Sequence, residues 1–111
     1  MLYKFKSKAA GDVIMLEPNG RQVLAIIGKD NGRDYGAQGI LQPAQMKAAA
    51  AALTAAIHSD ELTQQNAIAK ALAEGKPTPK FEGVSLRQRA HPMLEMLQAS
   101  SKAGVDIVWG V

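Results

Sequence analysis

The sequence predicts an α+β fold: a small mixed β-sheet of three to four strands, with about three to four helices packed on one face, in two layers. Three observations carry this. Apolar and polar residues alternate near both ends of the chain, the period of a strand. Between the ends the apolar period changes to that of a helix. The length of 111 residues, 47% hydrophobic and 21% charged, suits one globular domain. That composition excludes wholesale disorder. The absence of cysteine excludes a disulfide scaffold, thiolate metal sites and a Cys nucleophile.

The first strand is read from Tyr3 and Phe5 pointing one way and Lys4 and Lys6 the other. Ala9-Ala10-Gly11 permits a turn. Asp12 to Leu16 is apolar on both faces, which fits a buried strand or the entry to a helix; periodicity alone does not separate them. Val23, Ile26 and Ile27 then mark one face of a short helix, with Pro18 in its first turn and Gly28 as its cap. Lys29 to Gly39 is dense in turn formers and is expected to be a mobile loop, 29–39. Gly39-Ile40-Leu41-Gln42 reads as a short strand ended by Pro43.

From Pro43 the pattern is helical, with Met46, Ala49, Ala50, Leu53 and Ile57 as the stripe and alanine supplying propensity. The stretch 43–74 fits one helix or two. A single one would run about 48 Å, long beside a radius of gyration near 13 Å, so a break near Ser59 is favoured. A second helix capped by Ser59 or Asp60 would then carry Ile68 and Leu72 on its apolar face. Lys76-Pro77-Thr78-Pro79-Lys80 lies in an extended linker, 75–82, within a single domain spanning 1–111. Ser85-Leu86-Arg87-Gln88 fits a capping box. Leu86, Ala90, Met93, Leu94 and Leu97 form the stripe of the helix that follows, and Pro92 inside it predicts a kink. Gly104 caps its end, and Val105, Ile107 and Trp109 alternate as a closing strand.

Five blocks stand out along the chain. They are Met1 to Lys8, Gly11 to Leu16, Gln22-Val23-Leu24 with Ile27-Gly28-Lys29, Gly83 to Ala90, and Val108-Trp109-Gly110-Val111. Together they resemble a family of small bacterial proteins, the domain-of-unknown-function family numbered 1840, over nearly the whole chain. The resemblance implies a compact α+β fold. It implies no activity, catalytic residue or ligand, so no site residue is carried over from it.

Thirteen Lys and Arg stand against ten Asp and Glu, a net charge of +3. That mild basicity makes an anion or nucleic-acid contact worth testing at Arg87, Arg89 and Lys102, on or beside the polar face of the last helix, and at Lys4 and Lys6. The plainer alternative is a solvated helix face with a His91–Glu95 pair, and a lysine-guarded sheet. The glycine-rich loop lacks the G-x-x-x-x-G-K-[ST] of a phosphate cradle, though it offers a place for a small molecule. His58 and His91 are too few for a structural zinc site; His58 is read as a partner for a helix C-terminus. No catalytic constellation is visible, so no enzyme activity, catalytic residue, cofactor or metal is expected. No leader and no membrane helix is expected. The reading is a cytoplasmic, non-enzymatic protein-interaction or adaptor module, with a homodimer as one arrangement because the Ala-rich helix allows close packing. The alternatives are a weak nucleic-acid-binding protein and a small-molecule binder at the loop.

Overall fold

The computed structural model describes residues 2–29, 38–81 and 84–110. Its elements in chain order are β1 (Leu2–Ser7), β2 (Ala10–Leu16), α1 (Glu17–Ile26), β3 (Gly39–Leu41), α2 (Pro43–Ala73), α3 (Leu86–Ala103) and β4 (Ile107–Trp109). The α+β expectation holds, with three helices among the described residues. The strands run in the order β2-β1-β4-β3, and every pairing is antiparallel. The sheet is therefore not a mixed one. β1 and β2 form a hairpin. The strand met last, β4, enters between β1 and β3, with Phe5 opposite Trp109 and Gly39 opposite Trp109 on its two sides.

Asp12 to Leu16 settles as strand, and it lies at the sheet's edge. Only one of its faces is covered. Met15 is buried, while Ile14 is 58% and Leu16 64% exposed. Apolar residues on both faces suggested burial on both; the helices reach only the inner one.

The core sits between that inner face and the helices. Tyr3, Phe5, Ile107 and Trp109 come from the sheet, Val23 and Leu24 from α1, Leu53 from α2, and Met93, Met96 and Leu97 from α3. Burying each such side chain contributes about 1.5–3 kcal/mol. Phe5 and Trp109 meet with ring centroids 5.5 Å apart in a tilted arrangement, a geometry that aromatic quadrupoles favour. Two glycines let rings approach backbone. A Cβ at Gly20 would strike the Tyr3 ring, and one at Gly39 the Trp109 ring. Ser100 is wholly buried and shares a 2.6 Å hydrogen bond with Ser7, which ties α3 to β1.

The helix ends follow the local chemistry. Ser85 Oγ accepts the Gln88 N–H at 3.2 Å and Gln88 Oε1 accepts the Ser85 N–H at 3.3 Å, the expected capping box. Gly104 closes α3 at φ 69°, in the left-handed region that favours glycine. α3 runs through Pro92 without interruption.

The expected break at Ser59 does not occur: α2 is one helix of 31 residues. Ser59 and Asp60 are interior, and the Thr63 hydroxyl donates to the Ser59 carbonyl. His58 therefore sits mid-helix and not at a C-terminus. No proline or glycine stands between Pro43 and Gly75, and nine of the thirteen residues from Ala44 to Ala56 are alanine or leucine. Only the first half is buried, through Met46, Ala49, Leu53 and Ile57. Leu72, expected on the apolar face, is 66% exposed. The molecule measures 51 × 28 × 22 Å, with a radius of gyration of 16.0 Å, above the roughly 13 Å of a compact chain this long.

Candidate functional site

The capping box sets the first turn of α3 and turns Arg87 outward and Arg89 sideways. Arg87 meets Glu61 of α2 through two parallel bonds, Nε to Oε2 at 2.9 Å and Nη2 to Oε1 at 2.7 Å. The bond from Arg87 holds the Glu61 carboxyl below its ordinary range, and the same bond raises the Arg87 guanidinium. Arg89 donates to the Val84 carbonyl at 3.2 Å, to Asn19 Oδ1 at 2.9 Å and to Gln22 Oε1 at 2.6 Å. The two guanidiniums thus join the start of α3 to α2 and to α1. An incoming phosphate would have to displace these partners.

The other three candidate cations lie elsewhere. Lys102 is exposed in the last turn of α3. It stands with Lys47 beside an open hollow of about 360 Å³ over Met46, Ala50 and Leu97. Lys4 and Lys6 are exposed on the outer face of the sheet, away from the helices, and Lys4 Nζ lies 3.5 Å from Asp12. Lys6 and Lys8 border another open hollow of about 480 Å³ together with Asp106. The fold therefore gathers Arg87 with Arg89 at one end of α3, leaves Lys102 at the other, and sets Lys4 and Lys6 on the opposite face. His91 and Glu95 pair at 2.7 Å, one turn apart.

Among the described residues, no three His, Cys, Asp or Glu side chains group as metal ligands, and no buried side-chain polar atom lacks a partner. The expected small-molecule place falls largely on residues 30–37, outside the described residues.

What the sequence reading missed is apolar. The outer face of the sheet carries Leu2, Ile14, Leu16 and Ile40, between 43% and 64% exposed. The signal was there in alternation: these residues sit out of phase with Tyr3, Phe5 and Met15. The solvent side of α2 is the second such surface. The residues at 44, 48, 51, 55, 58, 62, 65, 69 and 72 follow a strict alternation of four and three, and all are exposed. All are alanine or leucine except His58 and Gln65, and none is Asp, Glu, Lys or Arg. A solvent-facing helix stripe is ordinarily polar or charged.

No described helix is long and apolar enough to cross a membrane. A family profile described as Domain of unknown function (DUF1840) matches residues 1–109. Neither the curated proteins nor the solved structures yield a match.

Proposed function

The chain belongs to the DUF1840 family, and we propose that it works as a non-enzymatic protein-interaction module whose docking element is α2, pairing with α2 of a second copy. The observation that supports this is the uncharged, largely aliphatic solvent stripe of α2, from Ala44 to Leu72. Small side chains let two helix axes come close, at the short end of the roughly 8–10 Å range.

Charge chooses the arrangement. Antiparallel pairing centred near Leu53 sets Ala51 on the partner's Ala55, Ala48 on the partner's His58 and Ala44 on the partner's Leu62. It also brings Lys47, which flanks the stripe, toward Glu61 of the partner subunit, and the two-fold axis makes that contact twice. Sliding the partner by one heptad moves the centre to between residues 56 and 57 and takes Lys47 away from Glu61 of the partner subunit; sliding it by two, to near residue 60, puts Glu61 beside its own copy. Parallel pairing sets Lys47 beside Lys47 and gains neither contact.

Sedimentation equilibrium of the purified chain tests the pairing. Ala55→Glu, on the exposed side, is expected to lower the association state without changing the circular dichroism of the monomer. A nitroxide on Asn66→Cys, the one thiol in that variant, reports the register. Antiparallel pairing about Leu53 separates the two labels by about 39 Å along the axes; parallel pairing leaves them about 10 Å apart. An association indifferent to Ala55→Glu removes the reading.

A further inference from the structure

The outer face of the sheet is a separate surface, and it is self-complementary. Strand alternation places Leu2, Lys4 and Lys6 of β1 and Asp12, Ile14 and Leu16 of β2 on it. The register aligns them in rows, Leu2 with Leu16 and Lys4 with Ile14. Further across, Lys6 lies beside Val108, and Val108 beside Ile40. One end of the hairpin face is therefore a leucine pair and the middle sets Lys4 beside Ile14; Lys6 and Asp12 stand at the other end, where the register shifts between Phe5 and Ser7. No described helix covers it: Leu2 is 60%, Ile14 58% and Leu16 64% exposed, while Tyr3 and Phe5 on the inner face are at most 2% exposed.

We infer that this face docks a second copy of the chain, about a two-fold axis running parallel to the strands between β1 and β2. That axis lays β1 of one protomer over β2 of its partner and keeps the rows in step. Leu2 then meets Leu16 of the partner subunit, and the stem of Lys4 covers Ile14 of the partner subunit. The ammonium of Lys6 faces Asp12 of the partner subunit. Each contact occurs twice. Asp12 keeps its own Lys4, 3.5 Å away, and gains the second cation. A two-fold axis across the strands fails on the same grid. It drives Asp12 and Lys6 onto the leucine row and leaves both charges facing hydrocarbon. A leucine row, a mixed row of Lys4 with Ile14 and a row of opposite charges make the pattern that a copy of this face matches.

The contact is small. About this axis only the two strands of the hairpin overlap, a width of about 10 Å, which falls below the roughly 800 Å² per partner of a standard interface. The association is therefore a weak one that titrates with concentration.

The experiment uses the full chain carrying Ala55→Glu, so that helix pairing is removed and only the sheet contact remains. Sedimentation equilibrium across a concentration series is expected to show a monomer–dimer equilibrium. Adding Leu16→Glu is expected to leave monomer. Asp12→Lys brings a second ammonium opposite Lys6, and Lys6→Asp brings a second carboxylate opposite Asp12, so each alone is expected to weaken the dimer about tenfold. In an equal mixture of the two variants every row is again complementary, and association is expected to return as a heterodimer. All four positions are exposed, and circular dichroism of each variant verifies its fold. A monomer at every concentration, an association untouched by Leu16→Glu, or a mixture no stronger than its components overturns the inference. The helix reading is scored separately, by whether Ala55→Glu alone lowers the mass of the otherwise unaltered chain.

Discussion

The two halves of α2 differ in composition as well as in surroundings: Pro43 to Ile57 holds eight alanines and one charged residue, His58 to Ala73 four alanines and three charged residues. From Pro43 to Ile57 the helix contributes Met46, Ala49, Leu53 and Ile57 to the core. From His58 to Ala73 it buries no residue fully; its most sheltered positions, 60, 61, 64, 67, 68 and 71, are half-buried. The first half is helical because folding rewards its buried stripe. The second is helical because a run without proline or glycine continues a helix already nucleated, with each added residue gaining one backbone bond. One element thus carries both sources of helix stability, end to end, with the Arg87–Glu61 bonds near the junction.

The difference is open to attack by mutation. Leu53→Ala is expected to cost about 2–5 kcal/mol in urea unfolding, because it leaves a cavity in a closed core. Leu62→Ala, on the exposed stripe, is expected to stay within about 0.5 kcal/mol at concentrations where the chain is monomeric. Equal losses would end the contrast. Native-state hydrogen exchange sharpens it next: amides from Ala49 to Ile57 are expected to open only with global unfolding, and those from Ile68 to Ala73 by local fraying at much lower free energy. Ala69→Gly should then lower the protection of that far segment by about 1 kcal/mol and leave the urea midpoint nearly fixed. The smallest effect lies at the junction. Because Arg87 holds the Glu61 carboxyl below its ordinary value of 4.5, the contribution of the pair is complete above that pH and is lost as pH falls through the lowered value. Glu61→Gln should therefore reduce the melting temperature slightly at neutral pH, with the difference from the parent vanishing in acid.

The near half of α2 was legible because Met46, Ala49, Leu53 and Ile57 repeat at helical spacing. The far half was misread by applying an average of compactness to a single element. Helix length is decided by local propensity and the absence of breakers, and no proline or glycine interrupts the run before Gly75. The caps were legible for the same reason: Ser85 with Gln88 and Gly104 act within one turn. Sheet order was not legible, since the pairing of Phe5 with Trp109 spans almost the entire chain. The arginines follow that division. Arg87 reads on the polar face of the last helix and Arg89 beside it, but their partners Glu61, Asn19 and Gln22 lie 26 to 70 positions away. Nothing local announces such bonds. Ile14 and Leu16 carried a true signal, apolar residues on both faces, and it was taken as burial where it marks an uncovered surface.

The placement of β4 between β1 and β3 has a consequence for biosynthesis. While the chain emerges from the ribosome, the hairpin of β1 and β2 and the short β3 have no strand to join them. Phe5, Leu41 and the ring site beside Gly39 stay without Trp109 and Ile107 until the final element is made. At roughly 5–20 residues per second, that wait after β3 lasts several seconds. α2 can form during it, from local contacts alone, but the sheet closes only after synthesis has passed Trp109. Nascent chains stalled short of Ile107 should accordingly be protease-sensitive throughout the sheet, however helical they have become.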